Sequence, residues 1–290
     1  MSAALPTLNL IGAGRVGQTL ARLWTQAGVF AVQDVLTTSL ASAQTACEFI
    51  GAGSPSPSLD AMRPADLWLI ATTDARIAAT AAALARHAVA MESHQETTAF
   101  HCSGALSAAE LAPLAALGWH TASAHPILSF ANPVSACAQF AGTPCALEGH
   151  AGACEPLKTA FSAIGAQCFD VDSQDKLLYH AGAVFATNFV PVLQAVAEDA
   201  WQKSGVPQAL IPHLRASLLQ NAVANITRLG PQGALTGPAA RGDIAAIARQ
   251  AEALAQWDPA AGAAYSALSA LALRMANTSS TTATSAANKR

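Results

Sequence analysis

Two groups of residues in this chain have the types and spacing to do chemistry. The first is Gly12, Gly14 and Gly17 in "LNLIGAGRVGQTLARLW", a G-x-G-x-x-G pattern. It follows the apolar run Leu8–Ile11 and opens a helical stretch with Val16, Leu20 and Leu23 on one face. The first glycine permits a tight turn, the second lets backbone approach a diphosphate, and the third lets helix pack closely on strand. Amide groups at the helix start then face the phosphates. Gly12, Ala13, Gly14, Arg15, Val16 and Gly17 are therefore candidate contacts for a dinucleotide. The plain alternative is a tight turn that holds no ligand.

The second group is Lys176 and His180, four residues apart and so on one helix face. Thr187 falls near that face and Asn188 points further round. Reducing a carbonyl or an imine requires a proton donor beside the hydride acceptor. A lysine serves if burial or a neighbouring cation lowers its pKa, and a histidine titrates near neutrality unaided. Asn188 is placed to orient a substrate carbonyl or carboxylate. The competing reading makes Lys176 a solvated helix-start residue and His180 a hydrogen-bonded interface residue.

The segment after the glycine loop decides which dinucleotide fits. "DVLTTS" runs from Asp34 to Ser39. About 20 residues beyond the loop a carboxylate usually holds the adenosine ribose and repels a 2′-phosphate. Thr37, Thr38 and Ser39 stand there instead. Hydroxyls donate to a phosphate without adding negative charge, and Arg15 can supply a cation, so the expectation is NADP(H) over NAD(H). The rival is Asp34, if the strand ends early enough to bring it to the ribose.

Three further stretches carry candidates. "ATTD" (Ala71–Asp74) and "HCSG" (His101–Gly104) each end a strand, where ligands of open α/β sheets bind. This places Thr72 and Thr73 beside the cofactor, and Ser103 and Gly104 beside substrate or nicotinamide. His125 in "AHPILSF" binds substrate, acts as an acid, or is a buried histidine bonded to backbone. In "LTGPAARGD" (Leu235–Asp243), Asp243 reads as a helix cap, while the Arg241 guanidinium can clamp a carboxylate with two hydrogen bonds. The "RGD" tripeptide is read as coincidence.

The elements that position these residues follow from periodicity. Strand candidates Leu8–Ile11, Phe30–Leu36, Leu67–Ala71 and Ala99–Cys102 alternate with helices near Arg15–Ala27, Leu40–Ile50 and Arg76–His87, which predicts a parallel sheet with crossover helices. "SAAE" (Ser107–Glu110) is a capping box for a short helix ending at Gly118. A further strand, helix and strand occupy "PCALEG", Glu155–Ile164 and "AQCFDVD". After Asp172 strand signals stop. One helix is predicted from about Gln174 to Lys203, kinked at Pro191. A second is predicted from about Pro207 to Leu229, ended by Gly230. A loop then leads to Asp243 as an N-cap, and a last helix starts at Asp258 and Pro259. The expected domains are a Rossmann domain over residues 1–172, an all-α domain over 173–275, and a polar, disordered tail over 276–290.

Composition sets bounds. The 290 residues are 52% hydrophobic and 11% charged, with a formal net charge of −3. No basic stripe invites nucleic acid. The mean hydropathy of +0.32 raises the question of a membrane. The suspect stretch, His180–Glu198, contains His180, Asn188, Pro191 and Gln194 and reads as a buried helix rather than a span. No signal peptide is evident at "MSAALPTLNLIG", so a cytoplasmic location is expected. The six cysteines form no C-x-x-C pair, and they read as reduced thiols with no metal site.

"IGAGRVG", "HCSGAL", "SAHPILSF", "KLLYHAGAVFATN" and "LTGPAARGD" occur in that order. With them the chain resembles the Rossmann-like proteins that carry the C-terminal domain of unknown function 2520. That family is similar to the larger group of pyrroline-5-carboxylate reductase, ketopantoate reductase and the 3-hydroxyacid dehydrogenases. The resemblance implies a nucleotide-binding domain paired with a helical domain that often dimerises, hence a homodimer through the helices. Hydroxyacid dehydrogenases of the group use a lysine with an asparagine one turn later. Lys176 matches that lysine, but His180 stands in the asparagine's place. The combined expectation is an NADP(H)-dependent oxidoreductase of a small keto acid, hydroxy acid or cyclic imine, with nicotinamide between the domains. Lys176 and His180 would supply the proton, and Ser103, Asn188 and Arg241 would position substrate. The alternative is a nucleotide-binding sensor or partner protein without catalysis; a deazaflavin cofactor is a weaker third option.

Overall fold

The computed structural model describes residues 4–90 and 97–287, with backbone alone for 278–287. It divides into two compact units, Met1–Ala186 and Thr187–Arg290.

The first unit is built on one eight-stranded sheet: β1 (Thr7–Ile11), β2 (Ala31–Leu36), β3 (Ser54–Ser56), β4 (Leu67–Ile70), β5 (Thr98–His101), β6 (His120–Pro126), β7 (Pro144–Gly149) and β8 (Gln167–Asp170). Their spatial order is β3-β2-β1-β4-β5-β6-β7-β8. Strand order reverses beside β1, which makes the carboxyl ends of β1 and β4 the place where a ligand fits. Helices α1 (Arg15–Ala27), α2 (Leu40–Ile50), α3 (Asp74–Ala90), α4 (Ala112–Ala115), α5 (Pro133–Gln139) and α6 (Ala151–Ala163) connect the strands. The central strands are apolar without alternation because both faces are covered. All four residues of β4, "LWLI", are buried. On one face Trp24 meets Phe30, Phe100 and Phe161 edge-on, with ring centroids 5.3, 6.2 and 5.1 Å away. Its indole nitrogen donates to the Ala160 carbonyl at 3.0 Å, so the buried N–H is satisfied. On the other face Trp68, Ile70, Ile77, Leu84 and Trp119 form a second core.

Two features depart from the expected parallel sheet. β3 is a Ser-Pro-Ser edge strand, where proline is tolerated and apolar content is unnecessary. β7 runs antiparallel to β6, with His125 opposite Ala146. His125 thus lies inside β6. Ser107 caps the turn before α4, accepting from Ala109 N, and Gly118 takes φ 85° at its end.

Asp172 is followed by a 3-10 turn and α7 (Lys176–Ala183). Lys176 is buried against the sheet, which is why α7 belongs with the first unit rather than beginning the second. The kink expected at Pro191 is a π turn, Val184–Asn188, placed where the proline ring would meet the carbonyl of Thr187 four residues back.

The second unit holds α8 (Phe189–Lys203), α9 (Ile211–Ala234), α10 (Gly237–Ala240), α11 (Ile244–Trp257) and α12 (Pro259–Ala287). Gly230 interrupts α9 with φ 71° at the predicted stop. Asp243 caps α11 by accepting from Ala246 N, and Asp258 caps α12 by accepting from Ala260 N. The stretch read as a polar tail continues α12 to Ala287; residues 288–290 lie outside the described residues. Ser173–Lys203 is long and apolar enough to cross a membrane by length and composition. The expectation that His180–Glu198 is buried does not hold in the single chain: Phe185 is 60% and Val192 56% exposed. All six cysteines are free thiols.

Candidate active site

The glycine loop has the geometry its spacing predicts. Gly12 takes φ 86°, and a Cβ there would lie 2.7 Å from the Ala71 carbonyl oxygen. A Cβ on Gly17 would lie 2.8 Å from the Gly12 carbonyl oxygen, so helix α1 packs against the loop itself. Gly14 differs: nothing lies within 4 Å of the position a Cβ would take, and the residue is the N-cap of α1. That open space before a helix N-terminus fits a diphosphate.

Two clefts meet at this point. One, of about 480 Å³, is lined by Gly12, Ala13, Gly14, Thr37 and Thr38, and by Thr72 and Thr73 at the end of β4. Gln18, Ser42, Thr45, Ala71 and Arg76 complete its wall. The other, of about 320 Å³, shares Gly14, Ala71, Thr72 and Thr73 and adds Arg15, Val16, Asp74, Cys102, Ser103 and Phe130. Among the described residues no carboxylate lines the first cleft.

Asp34 is committed elsewhere. β2 continues to Leu36, so Asp34 is inside the strand and buried. Its carboxylate takes the Arg63 guanidinium at 2.6 Å and the Arg63 amide at 2.8 Å. Thr37 and Thr38 stand just beyond the strand end, on the cleft. Two other assignments change. Ser39 caps α2 by accepting from Ser42 N and lines neither cleft. Arg15 lines the second cleft, and Arg76, from the first turn of α3, is the cation of the first. Ser42, Thr45 and Arg76 escaped the sequence reading. Their signal was position in the first two turns of the helices after β2 and β4.

Ser103 sits at the carboxyl end of β5. Its hydroxyl donates to Asp74 Oδ2 at 2.9 Å and accepts from the amides of Leu106 (2.9 Å) and Ala105 (3.2 Å). The Ser103 amide donates to His101 Nδ1 at 3.1 Å, while His101 Nε2 lies 3.0 Å from the Ser107 carbonyl. His101 is therefore an Nε2-protonated, fully buried imidazole. Burial pushes its pKa down to about 4, with Lys176 adding to the effect; the Ser107 carbonyl opposes it first, then Glu148 and Asp74. A depressed folded pKa gives stability that is present above the unfolded value of 6.5 and lost as pH falls through about 4. The stability of the first unit is expected to drop by up to about 3 kcal/mol over that window from His101 alone. Urea unfolding at stepped pH measures it. A His101→Asn variant should show a shallower slope, and an unchanged slope would refute the assignment.

Lys176 does not line either cleft. Its side chain is 3% exposed, and Nζ hydrogen-bonds Ser123 Oγ and lies 3.4 Å from Glu148 Oε1. Burial lowers its pKa, and Glu148 partly offsets this. Ser123 donates onward to the Ser103 carbonyl at 3.1 Å. Glu148 accepts from the Ala108 amide and the Ser173 hydroxyl, each at 2.6 Å. Lys176 is thus neither the solvated lysine nor a cleft-facing acid; it ties α7 to β6 and β7.

The same helix brings His180 to Gly104. A Cβ on Gly104 would lie 2.3 Å from His180 Nδ1 and 2.8 Å from His125 Nε2. The glycine leaves room for two imidazoles, whose ring centroids are 5.6 Å apart. His180 Nδ1 is buried and has no hydrogen-bond partner among the described residues. His125 Nδ1 is 2.8 Å from the Tyr179 hydroxyl. Asn188 and Arg241 belong to the second unit: Asn188 Oδ1 accepts from Thr187 Oγ1 at 2.8 Å, and Arg241 is exposed at the end of α10. No group of three or more metal ligands occurs among the described residues.

A Rossmann-like domain matches residues 2–126, and the domain of unknown function 2520 matches residues 143–272. No curated protein matches the chain. Among solved structures it is similar to a Thermotoga maritima protein, at 21% identity over 94% of this chain and 99% of that one, with a TM-score of 0.72. It is similar to an imine reductase from Myxococcus stipitatus in complex with NADP+, at 16% identity over 94% and 95% of the chains, with a TM-score of 0.62. A Plasmodium falciparum pyrroline carboxylate reductase with NADP bound shares 13% identity over 93% and 98%, with a TM-score of 0.56. At these identities the likeness carries the fold; the chemistry has to come from the site.

Proposed function

We propose that this chain, a Rossmann-like domain ahead of a domain of unknown function 2520, is an NADP(H)-dependent oxidoreductase of a small keto acid, hydroxy acid or cyclic imine. The observation that carries the reading is the pair of clefts meeting at Gly14. The first has hydroxyls and Arg76 where a carboxylate would reject a 2′-phosphate, and the second ends at Ser103 and Asp74. Thr37, Thr38, Ser42, Thr45 and Arg76 would hold the adenosine phosphate, and the amides after Gly14 the diphosphate. When bound, the coenzyme supplies or accepts a hydride at the Ser103 end. Ser103, fixed by Asp74, and the histidines over Gly104 would face substrate. The NADP-bound imine reductase and pyrroline carboxylate reductase of the same fold support this choice of coenzyme and substrate class.

The test is NADPH consumption by purified protein against a broad panel of keto acids and cyclic imines. Turnover of one class is the expected result. Coenzyme binding without turnover across the panel would favour a non-catalytic NADP-binding sensor, a reading that the sealed Lys176 also favours. The exposed apolar side chains of the second unit, among them Val192, Leu218, Val223 and Ile244, support a homodimer through its helices. Sedimentation at micromolar concentration should return a dimer mass, and a monomer mass would refute this.

A further inference from the structure

We infer that Tyr179 is a positioning residue of this site: its hydroxyl donates to His125 Nδ1 and so fixes a neutral imidazole that presents Nε2–H beside Gly104, as a hydrogen-bond donor to the substrate's reacting oxygen or nitrogen. The inference rests on the oxidoreductase reading and adds to it a residue and a protonation state.

His125 Nδ1 and the Tyr179 oxygen are 2.8 Å apart, a hydrogen-bond distance whose direction the chemistry decides. A phenol is the stronger acid of the two groups and an imidazole nitrogen the stronger base, so the hydroxyl donates and Nδ1 accepts. The one proton of the neutral ring then sits on Nε2. That is the nitrogen facing Gly104, since a Cβ there would come 2.8 Å from it and 2.7 Å from Cε1. Tyr179 is itself held by its ring, which meets His125 at 5.7 Å and Phe169 at 6.2 Å, both edge-on. Phe169 is in β8 and His125 in β6, so two strands set where the phenol points.

The surroundings keep the ring neutral. Burial first, then His180 and Lys176, both on α7, lower the His125 pKa to about 4, while Asp74 on α3 opposes them. Burial likewise raises Tyr179 to about 12, so the phenol keeps its proton. A neutral imidazole N–H donates without transferring its proton near neutrality. His125 then polarises the reacting group rather than acting as its acid. His180, whose buried Nδ1 has no partner among the described residues, packs against Gly104 from α7. His125 thereby differs from His101, whose Nδ1 and Nε2 are both occupied by backbone.

The experiment is nitrogen-15 NMR of histidine-labelled, full-length protein between about pH 8 and pH 5, where a free histidine titrates. A His125→Asn variant assigns the His125 signals. In the wild type they should report the Nε2–H tautomer and stay unshifted across the range. In Tyr179→Phe they should move to tautomer-averaged values while the His101 signals stay in place, which reports an intact fold. An Nδ1–H tautomer in the wild type overturns the inference without any variant, and so does a Tyr179→Phe spectrum that keeps the pure Nε2–H signature. Fluorescence titration with NADPH separates the two readings. Equal affinity in wild type and Tyr179→Phe is expected. A wild type that takes up no NADPH overturns the oxidoreductase reading, and the substrate role of His125 with it, whatever the histidine spectrum shows.

Discussion

Replacing Lys176 with Met is expected to destabilise the first unit by about 3–5 kcal/mol, and adding Glu148→Gln should recover a large part of that loss. The ammonium and the carboxylate are both nearly sealed, at 3% and 4% side-chain exposure. Removing the cation leaves a buried carboxylate with two neutral donors, the Ala108 amide and the Ser173 hydroxyl. These do not balance a full charge in a medium of low polarity. Glutamine keeps a carbonyl for the Ala108 amide and removes the charge, so the double variant should be the more stable of the two. Denaturant unfolding of the wild type, both single variants and the double variant completes the cycle. A double variant no more stable than Lys176→Met alone would mean that the pair carries little energy. The result bears on catalysis, because α7 also carries Tyr179 and His180. A Lys176 variant that loses turnover in proportion to its loss of fold has lost the placement of that helix, not an acid.

Arg76→Ala is expected to weaken NADPH binding about 10- to 100-fold, because a hydrogen bond to a charged group contributes about 1.5–3 kcal/mol. NADH binding should change little, since the Arg76 end of the cleft would contact only the additional phosphate. Arg15→Ala should weaken both coenzymes alike, because Arg15 lines the cleft on the other side of Gly14. Asp34→Asn should leave the preference untouched while loosening Arg63. Calorimetry with both coenzymes on the three variants measures these ratios. Equal losses of NADPH and NADH in Arg76→Ala would move the 2′-phosphate elsewhere.

Much of this site was legible in sequence because it depends on short-range spacing. Gly12, Gly14 and Gly17 are fixed by the strand before them and the helix after them, and each meets the steric demand the pattern implies. The absence of an acid at the adenosine end was legible too, but the choice between Asp34 and Thr37 turned on where β2 ends. Burial of Asp34 against Arg63, 29 residues away, decides it. What sequence did not disclose depends on long-range pairing. Glu148 lies 28 residues before Lys176, and nothing local marks them as a pair; the antiparallel turn of β7 brings the carboxylate to α7. Tyr179 and His125 are 54 residues apart for the same reason. Which cleft Arg15 and Arg76 would serve was a question of helix rotation, set by Val16 and Ile77 turning towards the core. β3 was missed because an edge strand of serine and proline carries no apolar signal.

The central claim is that the glycine loop and the hydroxyl-lined cleft beside it take up NADP(H). Isothermal titration of folded wild-type protein with NADPH and, separately, NADH tests it most directly. The account predicts saturable one-site binding of NADPH, at least about tenfold tighter than NADH, a margin of about 1.4 kcal/mol. Tighter binding of NADH, or no heat and no saturation with either coenzyme, would contradict it.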